Sequence, residues 1–433
     1  MRREQTTLDD RTKSSSGNSS AAPKPGLLVV WSDGSPQWRV LPLENGNRVL
    51  GRDDVPDDRV SREHVEVSFA GGAWAVRDLR SRNGTFVDGH RVSGRIEAKA
   101  ARVLRIGQTL ALLRSDVSAF ERGAVIANDK MVAGPLLRET LDRIADLARS
   151  QSSLLVNGES GSGKELAARW FHSSGPSATG RFLPVNCATI PQGVAERLLF
   201  GARRGAYSGA TADADGFVEA AEGGVLFLDE VGELELDVQA KLLRVVETRE
   251  VIPLGSSRPR RIDVRFCFAT HRDLNAAVAD GRFRADLYYR IAQPQIVMPP
   301  LRSRMEEIPF FLVRALEAAG GAPPLHAKLI EECLLRSWPG NVRELSSAIG
   351  AAIERAKSER ARDVRPQHLP ADAGEHRAPA AAPPSSPEPR RDELAKLLAD
   401  HGGNMSAAAR ALGVHRTQLY RLLRKHGLLD SDK

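Results

Sequence analysis

The segment GESGSGKE, from Gly158 to Glu165, constrains this chain more than any other. It follows the apolar run SLLVNG and precedes the helical pattern ELAARWFH. A strand, a glycine-rich turn and a helix in that order form the context of a phosphate-binding loop. Backbone N–H groups of Gly158, Glu159, Ser160, Gly161, Ser162 and Gly163 converge on phosphate oxygens in such a loop, and the positive end of the helix dipole adds to them. Lys164 is spaced to reach the β- and γ-phosphates of a nucleotide. Glu165 stands where the generic loop has a hydroxyl ligand for Mg²⁺. Downstream, GGVLFLDE sets four apolar residues directly before Asp229 and Glu230. A buried strand that ends in two carboxylates needs a counter-charge, because unpaired buried charge is costly. Mg²⁺ at Asp229 and a water oriented by Glu230 supply a reason for the pair. Together the two motifs predict ATP and Mg²⁺ as cofactors and ATP hydrolysis as the chemistry.

The rest of the chain is arranged around this segment. At 433 residues it is too long for one core. Residues 1–25 are polar and rich in Ser and Thr, so a disordered tail is expected. Residues 26–115 carry short apolar runs, among them LLVVW, HVEVSF and WAVRDL, separated by Gly, Asp and Asn. That spacing predicts an all-β sandwich. Residues 116–128 read as a linker. Residues 129–371 alternate helix and strand, which predicts an α/β domain with a parallel sheet built from SLLVNG, RFLPVN, GGVLFLDE and VRFCFAT. An α-helical lid is expected from about residue 301. Residues 372–390 have the Pro/Ala composition of a second linker, and residues 391–430 are helical and basic.

Hydrophobic and charged fractions of 41% and 27% are ordinary for a globular chain. The net charge of +7 and pI near 9.5 favour acidic partners such as nucleic acid. Cys187, Cys267 and Cys333 lie far apart among apolar neighbours, which suits core packing rather than a disulfide framework or a metal site. There is no apolar signal core and no run approaching the ~20 residues a membrane helix needs, so a cytoplasmic location without a membrane partner is expected.

Residues of about 130–370 resemble the central AAA+ domain of bacterial sigma-54-dependent transcription activators. Glu165 after the loop lysine fits that family. In FLPVNCA, Asn186 matches the asparagine that switches the catalytic glutamate. FRADLYYRI matches the segment that supplies arginine fingers to a neighbouring subunit, which implies Arg284 and Arg290. WPGNVREL matches the lid segment and implies Arg343 as a nucleotide sensor. An arginine supplied in trans stabilises charge on the transferring phosphoryl group and makes hydrolysis depend on assembly. GAYSGA (Gly205, Ala206, Tyr207, Ser208, Gly209, Ala210) matches the surface loop that touches the sigma-54 subunit of RNA polymerase. Tyr207 and Ser208 replace the usual Phe and Thr, and His271 in ATHRDL replaces the usual Asn.

The N-terminal β-region resembles an FHA domain, a reader of phosphothreonine peptides. LGR, SREH and RNGT carry the likeness. A dianionic phosphate needs a guanidinium and several donors held on loops at one end of a rigid sandwich, and Arg52, Ser61, Arg62 and Asn83 supply that set. His64 and Gly84 are expected to hold loop shape. The resemblance places the upstream signal with a Ser/Thr kinase, since the receiver domain more familiar in the family is not visible. Thr6 and Thr7 each have an acidic residue three positions on, which makes the tail a candidate phosphopeptide for such a domain. At the other end, GGNMSAAARALGVHRTQLYRLLRKHGL has helix-turn-helix spacing, with five Arg/Lys and no Asp/Glu over 404–427. It resembles the Fis-type DNA-binding domain. His415, Arg416, Thr417, Gln418 and Arg421 form the groove-facing set for double-stranded DNA.

These readings combine into a sigma-54-dependent activator that binds an upstream site and assembles as a homo-oligomer, from dimer to hexamer. ATP hydrolysis would then drive remodelling of sigma-54 RNA polymerase. Two alternatives stay open: a DNA-bound regulator that assembles on ATP without remodelling sigma-54, and a scaffold with a vestigial ATPase. Tyr207, Ser208 and His271 are the departures that favour the first of these.

Overall fold

The structure is a computed structural model that describes residues 23–128, 131–151, 153–207 and 210–375, with scattered residues between 395 and 423. The expected disordered tail lies outside the described residues but for its last three positions. Two units are resolved by internal contacts, residues 1–375 and 376–433. In the second unit the described side chains include the buried Ala408 and Leu423, and the five DNA-facing positions lie outside the described residues.

The first unit opens with a β-sandwich. Its strands are β1 (Gly26–Ser32), β2 (Ser35–Pro42), β3 (Asn47–Leu50), β4 (Val65–Ala70), β5 (Ala73–Asp78), β6 (Thr85–Val87), β7 (His90–Arg91), β8 (Arg95–Ala98), β9 (Val103–Ile106) and β10 (Thr109–Arg114). One sheet runs β2-β1-β10-β9-β6-β7 and the other β3-β4-β5-β8. Side chains alternate across a strand, and β1 uses both faces. Leu27 and Val29 point into the sandwich core with Val67, Trp74 and Leu104, whereas Leu28, Val30 and Trp31 join a different core. That second core belongs to the lid.

A short connection follows, with α1 (Ser118–Glu121) and the two-stranded pair β11 (Ile126–Ala127) and β12 (Val132–Ala133). The α/β domain then comprises α2 (Pro135–Ser150), β13 (Ser153–Asn157), α3 (Lys164–Ser174), β14 (Phe182–Asn186), α4 (Ala195–Phe200), α5 (Phe217–Ala220), β15 (Val225–Asp229), α6 (Leu236–Thr248), β16 (Glu250–Val251), β17 (Arg260–Arg261), β18 (Arg265–Thr270), α7 (Leu274–Ala279), α8 (Ala285–Ile291) and β19 (Gln295–Val297). Its sheet is parallel, in the order β14-β15-β18-β13-β19. The four apolar runs form its first four strands in sequence. The three-residue β19 adds an edge that those runs do not signal. Because β13, β15 and β18 are covered on both faces, their central side chains are apolar, and ligands collect outside their carboxyl ends.

The lid contains α9 (Ile308–Ala319), α10 (Ala327–Leu335) and α11 (Asn341–Ser358). On α11, Leu345, Ala348, Ile349, Ala352, Ile353 and Ala356 recur at helical spacing and are buried. Each fully buried Leu or Ile contributes roughly 1.5–3 kcal/mol. The three cysteines are buried, and burial pushes the Cys187 and Cys333 thiols up to about 12, which leaves them unreactive. No helix among the described residues is long and apolar enough to cross a membrane.

Candidate nucleotide site and its flanking sites

The glycine-rich loop leaves the carboxyl end of β13 and turns into α3, with Gly163 at φ +104° just before Lys164. Gly161 shows why the loop needs glycine. It has φ +71°, and a Cβ there would lie 2.2 Å from the Gly340 carbonyl of the lid. Lys164 is almost fully buried. Its Nζ donates to the carbonyls of Gly158 at 3.0 Å and Glu159 at 3.4 Å and lies 3.4 Å from Glu230 Oε1. Glu165 points along α3 and pairs with Arg169 at 2.7 Å.

Asp229 ends β15, and Glu230 follows it in a left-handed turn at φ +54°. Burial pushes the Asp229 carboxyl up and neighbouring Glu230 adds to this, with Lys164 and Arg343 pulling back. Burial also pushes Glu230 up, but the His271 hydrogen bond, Lys164 and the His271 amide outweigh it and hold the group below the usual carboxylate range. His271 Nδ1 is 2.7 Å from Glu230 Oε2, and the His271 amide is 3.2 Å from the same oxygen. Asp229 and Glu230 are half-buried, with Lys164 3.4 Å from Glu230 Oε1. One carboxylate, phosphate oxygens and water are the donor set that suits Mg²⁺.

The loop residues Ser160 to Lys164 line a cavity of about 560 Å³ with Asp229 and Glu230, within the range of ordinary ligand sites. Met131, Val132 and Leu137 form an apolar wall, and Phe311, Arg314, Val342 and Arg343 close it from the lid. Arg343 Nη1 donates to Ser160 Oγ at 2.9 Å, and the Val342 amide donates to the Gly161 carbonyl at 3.2 Å. Asn186 lines the cavity, with its Oδ1 accepting from the Ala188 amide at 3.0 Å. In this geometry His271 and Lys164 hold Glu230, and Asn186 caps its own turn. Arg284 and Arg290 are not among the residues that line the cavity. Arg284 pairs with Asp286 at 2.7 Å on the surface, and Arg290 reaches the Val246 carbonyl at 3.5 Å, with the exposed Tyr289 between them.

Two further residues clamp the loop. Asn341 Nδ2 donates to Glu159 Oε2 and to the Ser160 carbonyl, both at 3.0 Å. Buried Arg304 donates to the Ser162 carbonyl at 2.8 Å and to Glu307 at 2.7 Å. Arg304 lies in an unremarkable run, LRSRMEE, and only a charge placed among expected core residues hints at its role.

In the surface loop, the Gly205 amide donates to the Ala210 carbonyl at 2.9 Å, so the segment doubles back on itself. Ser208 and Gly209 lie outside the described residues. Tyr207 is 39% exposed, and its hydroxyl accepts from Arg197 at 2.9 Å. Tyr in place of Phe therefore introduces a tether.

At the end of the sandwich, Arg52, Arg62 and Asn83 are exposed and Ser61 is half-buried. Arg52 donates to the Val60 and Asp58 carbonyls at 3.0 and 3.2 Å, and Asn83 donates to the Arg59 carbonyl at 2.6 Å. Ser61 Oγ accepts from the Arg82 amide at 3.3 Å. Fully buried His64 accepts from the Ser61 amide and lies 3.3 Å from the Gly84 carbonyl, which ties the two loops together. A Cβ on Gly51 would fall 1.6 Å from the Arg62 carbonyl, so the loops meet only over a glycine.

Sequence profiles agree with this layout. The FHA domain matches residues 48–107, the Sigma-54 interaction domain residues 131–297, and the Fis family of bacterial regulatory proteins residues 391–426. Transcriptional regulatory protein GlrR of Escherichia coli is 37% identical over 332 residues, covering 74% of each chain. Nitric oxide reductase transcription regulator NorR2 of Cupriavidus necator is 41% identical over 334 residues, covering 70% of this chain and 63% of that one. The crystal structure of NtrX from Brucella abortus in complex with ATP matches with a TM-score of 0.50 at 29% identity, over 70% of each chain. The chain belongs to the sigma-54-dependent transcriptional activators, with an FHA domain ahead of its P-loop ATPase domain and a Fis-type helix-turn-helix behind it.

Proposed function

We propose that this chain hydrolyses ATP between subunits of a ring and uses the cycle to remodel sigma-54 RNA polymerase, under control of a phosphothreonine signal. The observation that carries the reading is the convergence of Lys164, Asp229, Glu230 and the lid residue Arg343 on one cavity. ATP places its phosphates on the Gly158–Lys164 loop, as the ATP-bound NtrX structure supports. Asp229 holds Mg²⁺, which neutralises charge on the phosphates. Glu230 is ionised and orients the attacking water once it leaves His271 and Lys164, and Asn186, which lines the same cavity, is its alternative partner in the switch. Arg284 and Arg290, turned away from their own cavity, act as fingers toward the neighbouring subunit. Gly205–Ala210 transmits the cycle to sigma-54. Arg52, Ser61, Arg62 and Asn83 read the phosphothreonine placed by a Ser/Thr kinase, and His415, Arg416, Thr417, Gln418 and Arg421 contact an upstream DNA site.

Turnover measured against protein concentration tests the assembly-dependent chemistry. The expected result is a rate per chain that rises steeply with concentration, falls at least ~10²-fold in Glu230→Gln, and is lost in Arg290→Ala although ATP still binds. A constant, near-zero rate unaffected by Glu230→Gln would instead indicate a scaffold.

A further inference from the structure

The sandwich reaches the nucleotide site through a buried ionic cluster. Two adjacent lid carboxylates, Glu306 and Glu307, are buried with 2% and 0% of their side chains exposed. Each is matched by an arginine from a different part of the unit. Glu307 takes Arg304 at 2.7 Å and also accepts from the Gly134 amide at 2.8 Å, at the start of α2. Each of the three Arg304 guanidinium nitrogens has a partner, since Nε and Nη2 donate to the Pro299 and Ser162 carbonyls at 3.1 and 2.8 Å. The ion pair to Glu306 comes from the end of β10: Arg114 Nη2 lies 3.3 Å from Glu306 Oε2, with its guanidinium 5.6 Å from the centre of the Phe120 ring. Both carboxylates press on Gly134, where a Cβ would meet Glu306 Oε1 at 2.9 Å and Glu307 Oε1 at 3.3 Å.

We infer that Arg114 of the β-sandwich is a positioning residue for the nucleotide site, acting through Glu306 and the Arg304–Glu307 pair to place the Ser162 carbonyl and the start of α2. This rests on the reading of the cavity as an ATP site. The physical reason is charge balance. Without Arg114, Glu306 is a buried carboxylate beside a second one, and Arg304, the other arginine acting on it, is already paired with Glu307. Drawing Arg304 toward Glu306 would compete with its hold on Glu307 and Ser162. Burial already pushes Glu306 up, with Arg114 foremost in pulling it back, and burial pushes Glu307 up to about 7. The α2 start carries Leu137 of the apolar wall, so a shift there alters the nucleotide's seat as well as the phosphate loop. The sandwich is thus part of the ATP-binding apparatus, in addition to carrying the peptide-reading loops.

The test uses the full chain, with ATP affinity measured by calorimetry alongside KM and kcat. Arg114→Met is expected to weaken ATP binding and raise KM by about 10-fold, a size typical of coupled sites, with kcat changed less than about twofold. In a Glu306→Gln background the same substitution should change affinity less than about twofold, and Arg114→Lys should restore most of it in the native background. Arg114→Gln asks the same question if the Met variant does not fold. Unchanged affinity in Arg114→Met overturns the inference, as does an equal loss in the Glu306→Gln background, which would mean that Arg114 acts through packing alone. Failure of the wild-type chain to bind ATP overturns the underlying reading, and the inference with it.

Discussion

Helix α10 is gripped by the sandwich at three points. Gln108 Oε1 accepts from the Ala327 amide at its start at 3.3 Å, Arg105 pairs with Glu331 in its middle at 2.6 Å, and Arg102 donates to the Leu335 carbonyl at its end at 3.1 Å. The central pair is buried, with 8% and 6% of the two side chains exposed. Removing one partner from such a pair strands a charge and costs about 3–5 kcal/mol. The Phe86 ring, 3.8 Å from the Arg105 guanidinium, offsets part of this. We take ~3 kcal/mol for Glu331→Ala, which is roughly a 150-fold larger opening constant for the sandwich–lid contact. Glu331 Oε1 has no hydrogen-bond partner, so the pair is incompletely compensated. Replacing both residues, as Arg105→Met with Glu331→Leu, should therefore be close to neutral. Hydrogen exchange of β9 and α10 reads the opening directly. The prediction is exchange up to ~150-fold faster in Glu331→Ala, with protection regained in the double variant. Unchanged exchange in the single variant, or a double variant as fast as the single, refutes the charge argument.

Three further predictions concern the sites. Lys164→Ala should cut turnover by at least ~10²-fold by removing a cation aimed at the phosphates, and an unchanged kcat/KM would exclude the loop as the phosphate site. His271→Ala removes the bond that keeps Glu230 below its usual pKa. Because Glu230 must be ionised to act, the acid limb of the kcat/KM profile should move to higher pH, with His271→Asn between the two; a superimposable profile would show that His271 leaves the Glu230 charge unaffected. Arg52→Ala should weaken binding of a phosphothreonine peptide by about 10-fold or more, the value of a charge-assisted bond, while leaving ATP turnover intact. Calorimetry with phosphorylated and unphosphorylated peptides checks this, and equal binding of both by the wild type would refute phosphate reading.

Much of the site is legible along the chain because its parts are local. GESGSGKE and LFLDE announce a loop and a strand end, and the parallel sheet brings them together. The sandwich is equally readable from its spaced apolar runs. Contacts between distant segments are not. LLVVW in β1 signals that both strand faces are buried, but no pattern in it says that the second face lies against lid helices. The stretch 116–128 reads as a joint, yet the sandwich and lid share a core on either side of it. Arg304 escapes notice for a similar reason: it acts on a loop carbonyl, which accepts from any donor and imposes no motif, whereas Asn341 sits inside WPGNVREL but its clamp on the loop depends on where the lid packs. His271 is visible as a departure from its family, but its hold on Glu230 depends on β15 and β18 lying side by side.

Hydrolysis is proposed to perform work on a sigma-54 promoter complex. Open-complex formation on a supercoiled sigma-54 promoter, with purified polymerase, ATP and the full chain with its phosphorylated partner, tests it most directly. Strand opening is expected to require ATP hydrolysis and to be lost in Tyr207→Ala while ATP turnover persists. Absence of opening by a wild-type chain that hydrolyses ATP and binds its DNA site would contradict it.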